Sequence, residues 1–528
     1  MSEKATTRSI VQLDRGNLKR IRDVGIAIIL LVIVVYSFNV SQVDPINLIN
    51  GFGYTWQLLE KMYPPDTVSL PLYLSLIEDT IAMGVASTIL GVIISLPMGF
   101  LMARNTAPGT VVYHVTRFLV TFFRTAPSMV WALIFVVSFG IGAVPGILGL
   151  TISTIGMLSK FYSEAIESID PKPVEALNAT GGHGLSVIRH AIIPQVTPIF
   201  TSYTLYTLDS NIRGAVLMGL VGAGGIGGQL LIQMNRFNYQ NVSTILIMIV
   251  VLVALINRTS AYLRKGIIEG TIFKDSRRYL DYAIVIIGGV VCVAFLLVTQ
   301  SDIDWGLFIT GWGKTVWMLG KFSTISFTYF DSSIDLMKET IMMAIAGSVI
   351  AIIIAIPLGI AMARNLNKNM IVANSLREIC NMFRAIPEMV LAIFFVAAVG
   401  MGPFAGVIAI ALHSAGVLGE FYAGAIENID SKPVEAIEAT GASFAQRIRH
   451  AIFPQIWPIV NSNNLYILDR NIRDSTILGM VGAGGIGILL SQTFRMFYLE
   501  DAVQIIIVMV VTIAIIDSLS AYIRKRLV

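Results

Sequence analysis

The sequence repeats itself. Displaced by 260 positions, LPMGFLMARN falls on IPLGIAMARN and FRTAPSMVWALIFVVSFGIG on FRAIPEMVLAIFFVAAVGMG, and the register holds without a gap to the C-terminus. Leu205–Gly227 matches Leu465–Gly487 at 15 of 23 positions, more than a shared apolar composition gives. A duplicated chain folds as two copies of one unit. What remains to be read is the unit and the operation that relates its copies.

The unit is built for a bilayer. Of 528 residues, 55% are hydrophobic and 13% charged, with a mean hydropathy of +0.76; so few charges cannot cover a soluble surface. A hydrocarbon core of about 30 Å takes about 20 apolar residues per helix. Val24–Val40, Ile81–Leu101, Ser243–Leu263, Tyr282–Val298, Ile341–Ala361 and Ala502–Ile523 approach or meet that length. The spans of the first copy are predicted near 24–40, 78–102, 117–141, 145–162, 196–222 and 242–263, with the second copy at +260 and the segments Ser41–Leu70 and Ser301–Ser333 outside as loops. The run from Val24 is too long for a cleavable leader, and no small-residue cleavage pattern follows Ser41, so it is expected to remain as the first span.

Charge sets the orientation. Lys4, Arg8, Arg15, Lys19, Arg20 and Arg22 crowd one end, Arg524, Lys525 and Arg526 the other, and Arg264, Lys265, Lys274, Arg277 and Arg278 the middle. The positive-inside rule places all three in the cytoplasm. Both ends of each copy then lie inside, and the copies are parallel, related by a pseudo-two-fold along the membrane normal with a pathway between them. The expectation is an all-α polytopic membrane protein of about 12 transmembrane helices in two parallel six-helix repeats. Its domains are 1–270 and 271–528, joined through the basic stretch Gly266–Arg278. Cys292 and Cys380 lie in or beside apolar helices, in no spacing that suggests a disulfide or a metal site.

Between the fourth and fifth spans each copy carries a polar interlude, IDPKPVEALNATGGHGLSVIRHAIIPQ from Ile169 and IDSKPVEAIEATGASFAQRIRHAIFPQ from Ile429. Asp170 and Asp430 suit a helix N-cap, Pro171 the first helical position, and Gly181 and Gly441 the helix end. Small Ala176, Ala179, Ala436 and Ala439 leave such a helix open to close approach by another surface. E-A-x-x-x-x-G with Pro thirteen residues later resembles the coupling-helix signature of ABC importer membrane subunits. Glu175, Ala176, Gly181 and Pro194 match it, as do Glu435, Ala436, Gly441 and Pro454. The Ile and Leu usual before that proline are replaced by Ala191 and Ile193, and by Ala451 and Phe453.

From the second span onward nearly all of both copies resembles the phosphonate-import permeases of the ABC class, through RAIPEMVLAIFFVAAVGMGPFAGVIAIALHSAGVLGEFYAGAIENID, VEAIEATGAS and LYILDRNIRDSTILGMVGAGGIG. The resemblance implies a type I ABC importer permease fold in the inner membrane of a bacterial cell, with coupling loops at about 163–195 and 423–455. It implies a cytoplasmic ABC ATPase dimer that binds ATP and Mg, an extracytoplasmic solute-binding protein, surrounding membrane lipid and a small oxyanion cargo. No cofactor is expected on this chain, and nothing points to nucleic acid. Ser128 stands where the family pattern has the Glu kept as Glu388, Lys160 is answered by Glu420, and Asp209 and Asp469 replace an expected Glu.

Charges inside a bilayer cost at least about 2.5–3.5 kcal/mol each at mid-span, so they need partners or a wet path. Tyr206, Asp209 and Arg213 share one helix face, as do Tyr466, Asp469 and Arg473, with Asn211 and Asn471 to the side. One reading is an internal Asp–Arg pair in each copy. The other brings Arg213 and Arg473 together across the pseudo-two-fold as a passage for an oxyanion, whose oxygens match the guanidinium fork. Arg124 and Arg384, each three residues before a proline, either line that path or snorkel to the cytoplasmic edge. His413 and Ser414, opposite Ser153 and Thr154, suit contacts between packed helices.

Other motifs lead nowhere. VGAGGIG has the glycine spacing of a dinucleotide site at Gly222, Gly224 and Gly227 and at Gly482, Gly484 and Gly487, but it ends a span and opens no βαβ unit. A tight turn or gate at the outer end of the fifth span is expected there. Gly313–Lys314–Thr315 lacks the earlier glycine of a P-loop, which is Phe308 here, so no ATPase site is expected. Two alternatives remain open: an ABC permease for methionine or a betaine, and a secondary transporter with Asp209 and Asp469 as proton carriers. The paired surface helices count against the second, which has no partner to dock.

Overall fold

The computed structural model describes residues 24–25, 28–43, 45–268, 305–321, 324–367 and 369–527. The expected span at Tyr282–Val298, the basic clusters at 4–22 and 274–278, most of the boundary stretch and Cys292 lie outside them.

The first copy runs α1 (Ile28–Val40), α2 (Pro45–Lys61), α3 (Leu70–Met102), α4 (Thr110–Thr125), α5 (Ser128–Phe139), α6 (Ala143–Glu167), α7 (Pro171–Ala179), α8 (Ile193–Leu220), α9 (Gly225–Asn235) and α10 (Tyr239–Ile268). The second runs α11 (Trp305–Lys321), α12 (Phe330–Met362), α13 (Met370–Ala385), α14 (Glu388–Val399), α15 (Pro403–Glu427), α16 (Ser431–Ala439), α17 (Phe453–Leu478), α18 (Ile486–Arg495) and α19 (Leu499–Leu527). From α2 and α11 onward the helices of the second copy begin at the +260 register, α18 one residue late. The described residues contain no strand. Among the described residues, seven segments are long and apolar enough to cross a membrane as they stand, and three more are bent pairs.

Small residues line the contacts between the long helices. The buried face of α3 holds Gly84, Ser87, Thr88, Gly91 and Ser95, and that of α12 holds Ala344, Gly347, Ser348, Ala351 and Gly359, while Ile93 and Ile353 face outward. Lipid is as apolar as leucine, so helices associate through close backbone approach. A Cβ at Gly91 would collide with Thr154 of α6, and one at Gly359 would come within 2.6 Å of the Tyr422 Cβ in α15.

The third span, expected over 117–141, is broken sharply at its proline. Pro127 and Pro387 force Ala126 and Ile386 into extended backbone, with ψ of 130° and 121°, and the axis bends by 86° between α4 and α5 and by 87° between α13 and α14. The segments expected as outer loops also differ, since they form α2 and α11. These helices exchange partners: α2 packs on α14 of the second copy, and α11 packs on α5 of the first. Gly51 admits Val399 and Phe404, Gly311 admits Phe139, and Trp312 meets the Phe139 ring edge-on at 5.8 Å. Leu58 of α2 and Met389–Ile393 of α14 share one buried cluster. Each copy thus completes the other's core.

Candidate functional site

The two interludes fold alike. Asp170 accepts the Lys172 N–H at 3.0 Å and Asp430 accepts the Lys432 N–H at 3.0 Å, capping α7 and α16. Neither helix has a buried residue; Glu175, Ala176, Glu435 and Ala436 all lie on exposed surface. Gly181 and Gly441 end them at φ of +84° and +76°, the left-handed region that only glycine occupies at little cost. Gln195 and Gln455, which sequence reading passed over, accept the Asp170 and Asp430 N–H groups at 3.0 Å and donate to Ala191 and Ala451 carbonyls at 2.8 Å. Each surface helix is therefore strapped to the root of the next span. That root contains a π turn, Ile188–Ile192 or Ile448–Ile452, just before Pro194 or Pro454 in the first turn of α8 or α17. A widened turn of this kind accommodates the proline.

The glycine segments form the tight turns expected after α8 and α17. Gly222 and Gly482 take φ of +94° and +90°, Gly224 and Gly484 take +77° and +86°, and the carbonyls of Gly222 and Gly482 accept from Gly142 and Gly402 at 3.1 and 3.0 Å. At Gly227 and Gly487 the constraint is space. A Cβ there would strike the Val216 or Thr476 carbonyl of the preceding span.

Midway along α8 and α17 lies a polar layer with two parts. The first is repeated in both copies. Asn211 donates to Thr88 and Thr154 at 2.9 and 2.8 Å, and Asn471 donates to Ser348 at 2.9 Å and accepts from Ser414 at 2.8 Å. Both asparagines are buried, so each ties three helices together. Beside them Arg213 pairs with Asp209 at 2.9 Å and donates to Asn257 at 2.9 Å. Arg473 lies 3.6 Å from Asp469 and 2.9 Å from Asp517, the counterpart of Asn257. These are the internal pairs of the first reading. The Arg124 guanidinium lies 3.8 Å from Asp517, across the boundary between copies. Arg384, partly exposed, occupies the equivalent place on α13.

The second part exists in one copy. Glu388, the first residue of α14 at the bend, binds Arg470 of α17 and stands 3.0 Å from His413 Nε2 of α15. Arg470 also pairs with Asp474 at 3.1 Å, and His413 Nδ1 lies 3.0 Å from the Ile386 carbonyl. Glu388 and His413 are buried, while 36% of the Arg470 side chain is exposed. The cluster is therefore accessible through its cation. At the same four places the first copy has Ser128, Ser153, Ser210 and Gly214. Arg470 and Asp474 were missed in the sequence, although their substitution for Ser210 and Gly214 within a span was a signal that could have found them.

The chain matches the family described as "Binding-protein-dependent transport system inner membrane component" twice, over residues 95–269 and 355–528. It is 35% identical to the "Phosphate-import permease protein PhnE" of Mycolicibacterium smegmatis over 92% of this chain and 91% of that protein. It is 39% identical to the "Phosphite transport system permease protein PtxC" of Stutzerimonas stutzeri over 46% of this chain and 87% of that one. It is 45% identical to the "Putative cryptic phosphonate transport system permease protein PhnE2" of Escherichia coli over 23% of this chain and 99% of that one.

Proposed function

The chain belongs to the family of binding-protein-dependent transport system inner membrane components, and on that footing we propose that it forms the membrane channel of an ATP-driven importer for phosphonates or related small oxyanions such as phosphite and phosphate. One chain supplies both halves of the pathway. The observation that carries the reading is the alignment of both copies, over nine-tenths of their length, with a permease named for phosphate import.

The site residues take roles consistent with it. α7 and α16, with Glu175, Ala176, Glu435 and Ala436 exposed, are the surfaces that seat an ABC ATPase dimer, which holds ATP and Mg; this chain supplies no cofactor site. The straps at Gln195 and Gln455 carry movement of those helices into α8 and α17. An extracytoplasmic solute-binding protein delivers cargo to the outer face, where the Gly222–Gly227 and Gly482–Gly487 turns lie. Both chain ends face the cytoplasm, and the domains divide near residue 270.

Arg124, Arg213, Arg384, Arg470 and Arg473 line the path. Arg124, Arg213, Arg470 and Arg473 already hold a carboxylate or amide of the protein. An oxyanion therefore enters by exchange, taking a guanidinium from its carboxylate partner. Paired arginines keep the empty path from holding anions too tightly to release, while their bidentate geometry still suits phosphorus oxyanions. Asn211 and Asn471 hold the helices that carry them.

The test is purification of the tagged chain with whatever accompanies it. The expected result is one copy of this chain with two ATPase subunits, and ATP hydrolysis that rises with a phosphonate, phosphite or phosphate plus the binding protein. Stimulation by methionine or a betaine alone would change the cargo, and absence of any ATPase would overturn the reading.

A further inference from the structure

The start of α4 forms a surface cleft of about 620 Å³ lined by Arg104, Tyr113, His114 and Arg117 with small neighbours. No carboxylate lines it. It lies at the end of the bundle that carries the surface helices: the Arg104 N–H is held at 2.9 Å by Glu167, at the end of α6 and three residues before Asp170. One phenol organises the two cations. Tyr113 Oη accepts from Arg104 Nε at 3.2 Å and from Arg117, whose guanidinium also lies 5.5 Å from the ring centre. His114 packs edge-on against the same ring.

The second copy lacks this arrangement. Arg377, counterpart of Arg117, is neutralised by Glu427 at 2.8 Å; Arg364 donates to Asn374 at 3.3 Å; and Ala373 replaces the tyrosine. The adjoining helix face differs in the same direction. Val111, Val115, Phe118 and Phe122 make an exposed apolar stripe on α4, 45–75% accessible, one helical turn apart. Their counterparts are Ile371, Ser375, Glu378 and Met382, so a polar and an acidic residue interrupt the stripe.

We propose that the first copy holds one anionic phospholipid of the inner leaflet, its phosphodiester between Arg104 and Arg117 and an acyl chain along Val111, Val115, Phe118 and Phe122. Among the described residues the Arg104 and Arg117 side chains form no ion pair with a carboxylate, Glu167 being spent on the Arg104 backbone N–H, so the two guanidinium groups match the headgroup charge, and the apolar stripe beside them matches a chain attached to that headgroup. A free oxyanion would use the arginines but not the stripe. Basic pockets at a membrane surface attract anionic headgroups at roughly 1 kcal/mol per cation. The lipid seats the end of α4 remote from Arg124, which reaches the other copy at Asp517. Occupancy of the cleft therefore fixes the helix that bridges the halves.

The experiment is native mass spectrometry of the purified complex titrated with phosphatidylglycerol or with phosphatidylcholine. The intact protein should retain one phosphatidylglycerol in preference to phosphatidylcholine. Arg104→Gln with Arg117→Gln should cut that retention about tenfold or more, the scale of two cations at a membrane surface, while Arg364→Gln should leave it unchanged. Val115→Ser with Phe118→Glu, which copies the second half and spares the arginines, should also weaken retention, and serves if the arginine variant does not assemble. Equal retention by intact protein and variants would overturn the proposal. So would binding of inorganic phosphate that displaces the lipid and depends on the arginines but not on Phe118, because the cleft would then take a free oxyanion.

Discussion

The two halves agree in the contacts that hold their helices and disagree at the bend of the third span. Asn211 and Asn471 make the same three-helix tie, Asp170 and Asp430 the same cap, and Gly227 and Gly487 the same close approach. The bent third spans then part company. At the bend of the second half Glu388, His413, Arg470 and Asp474 form a charged cluster, where the first half has three serines and a glycine. Both halves keep the Arg–Asp pair of α8 and α17, and divergence at four positions adds an ionic cluster to the second half alone.

The comparison can be broken first at its symmetric part. Gly181→Glu and Gly441→Glu, singly or together, should reduce uptake by about tenfold or more while the protein stays in the membrane; a one-sided effect, read as uptake at equal membrane abundance, would show that one surface helix suffices. Next comes the asymmetric cluster. Arg470→Ala leaves Glu388 with His413 alone and Asp474 without its cation, a loss of roughly 2–4 kcal/mol, less than for a fully enclosed pair because the arginine is partly exposed, whereas Ser210→Ala at the matching place should stay within about 0.5 kcal/mol. Thermal unfolding in detergent compares the two, and equal shifts would erase the distinction between the halves. Smaller still, Asn211→Leu and Asn471→Leu each leave two hydroxyls without their amide, about 1–3 kcal/mol, and the two losses should match. The least effect is expected from Arg124→Ala, since Asp517 keeps Arg473 at 2.9 Å. A change below about 1 kcal/mol, the worth of a partly exposed pair, would fit, and a larger one would make Arg124 a principal tie between the halves.

Much of this architecture could be read in the sequence because duplication exposes it twice. The coupling segments, the glycine turns and the Asp–Arg spacing of α8 and α17 are local patterns, and local patterns survive in one dimension. Pro127 and Pro387 marked the place of a break; its right-angle size depends on how α4 and α5 pack against α6. The exchange of α2 and α11 was invisible, because a segment's own periodicity does not say whose core it fills. The charged cluster was half visible: Glu388 and His413 stood out against Ser128 and Ser153, while Arg470 and Asp474 were masked by the matching Asp–Arg pair one residue away. Reading the copies against each other for charge rather than for likeness would have revealed all four.

The most direct test of the account is uptake of labelled phosphate, phosphite and a phosphonate into proteoliposomes carrying this chain with its ATPase and binding protein. The account expects accumulation that needs ATP on the cytoplasmic side, favours one of these oxyanions over methionine, and ignores an imposed pH gradient. Accumulation driven by that gradient without ATP would contradict it and make the chain a secondary transporter.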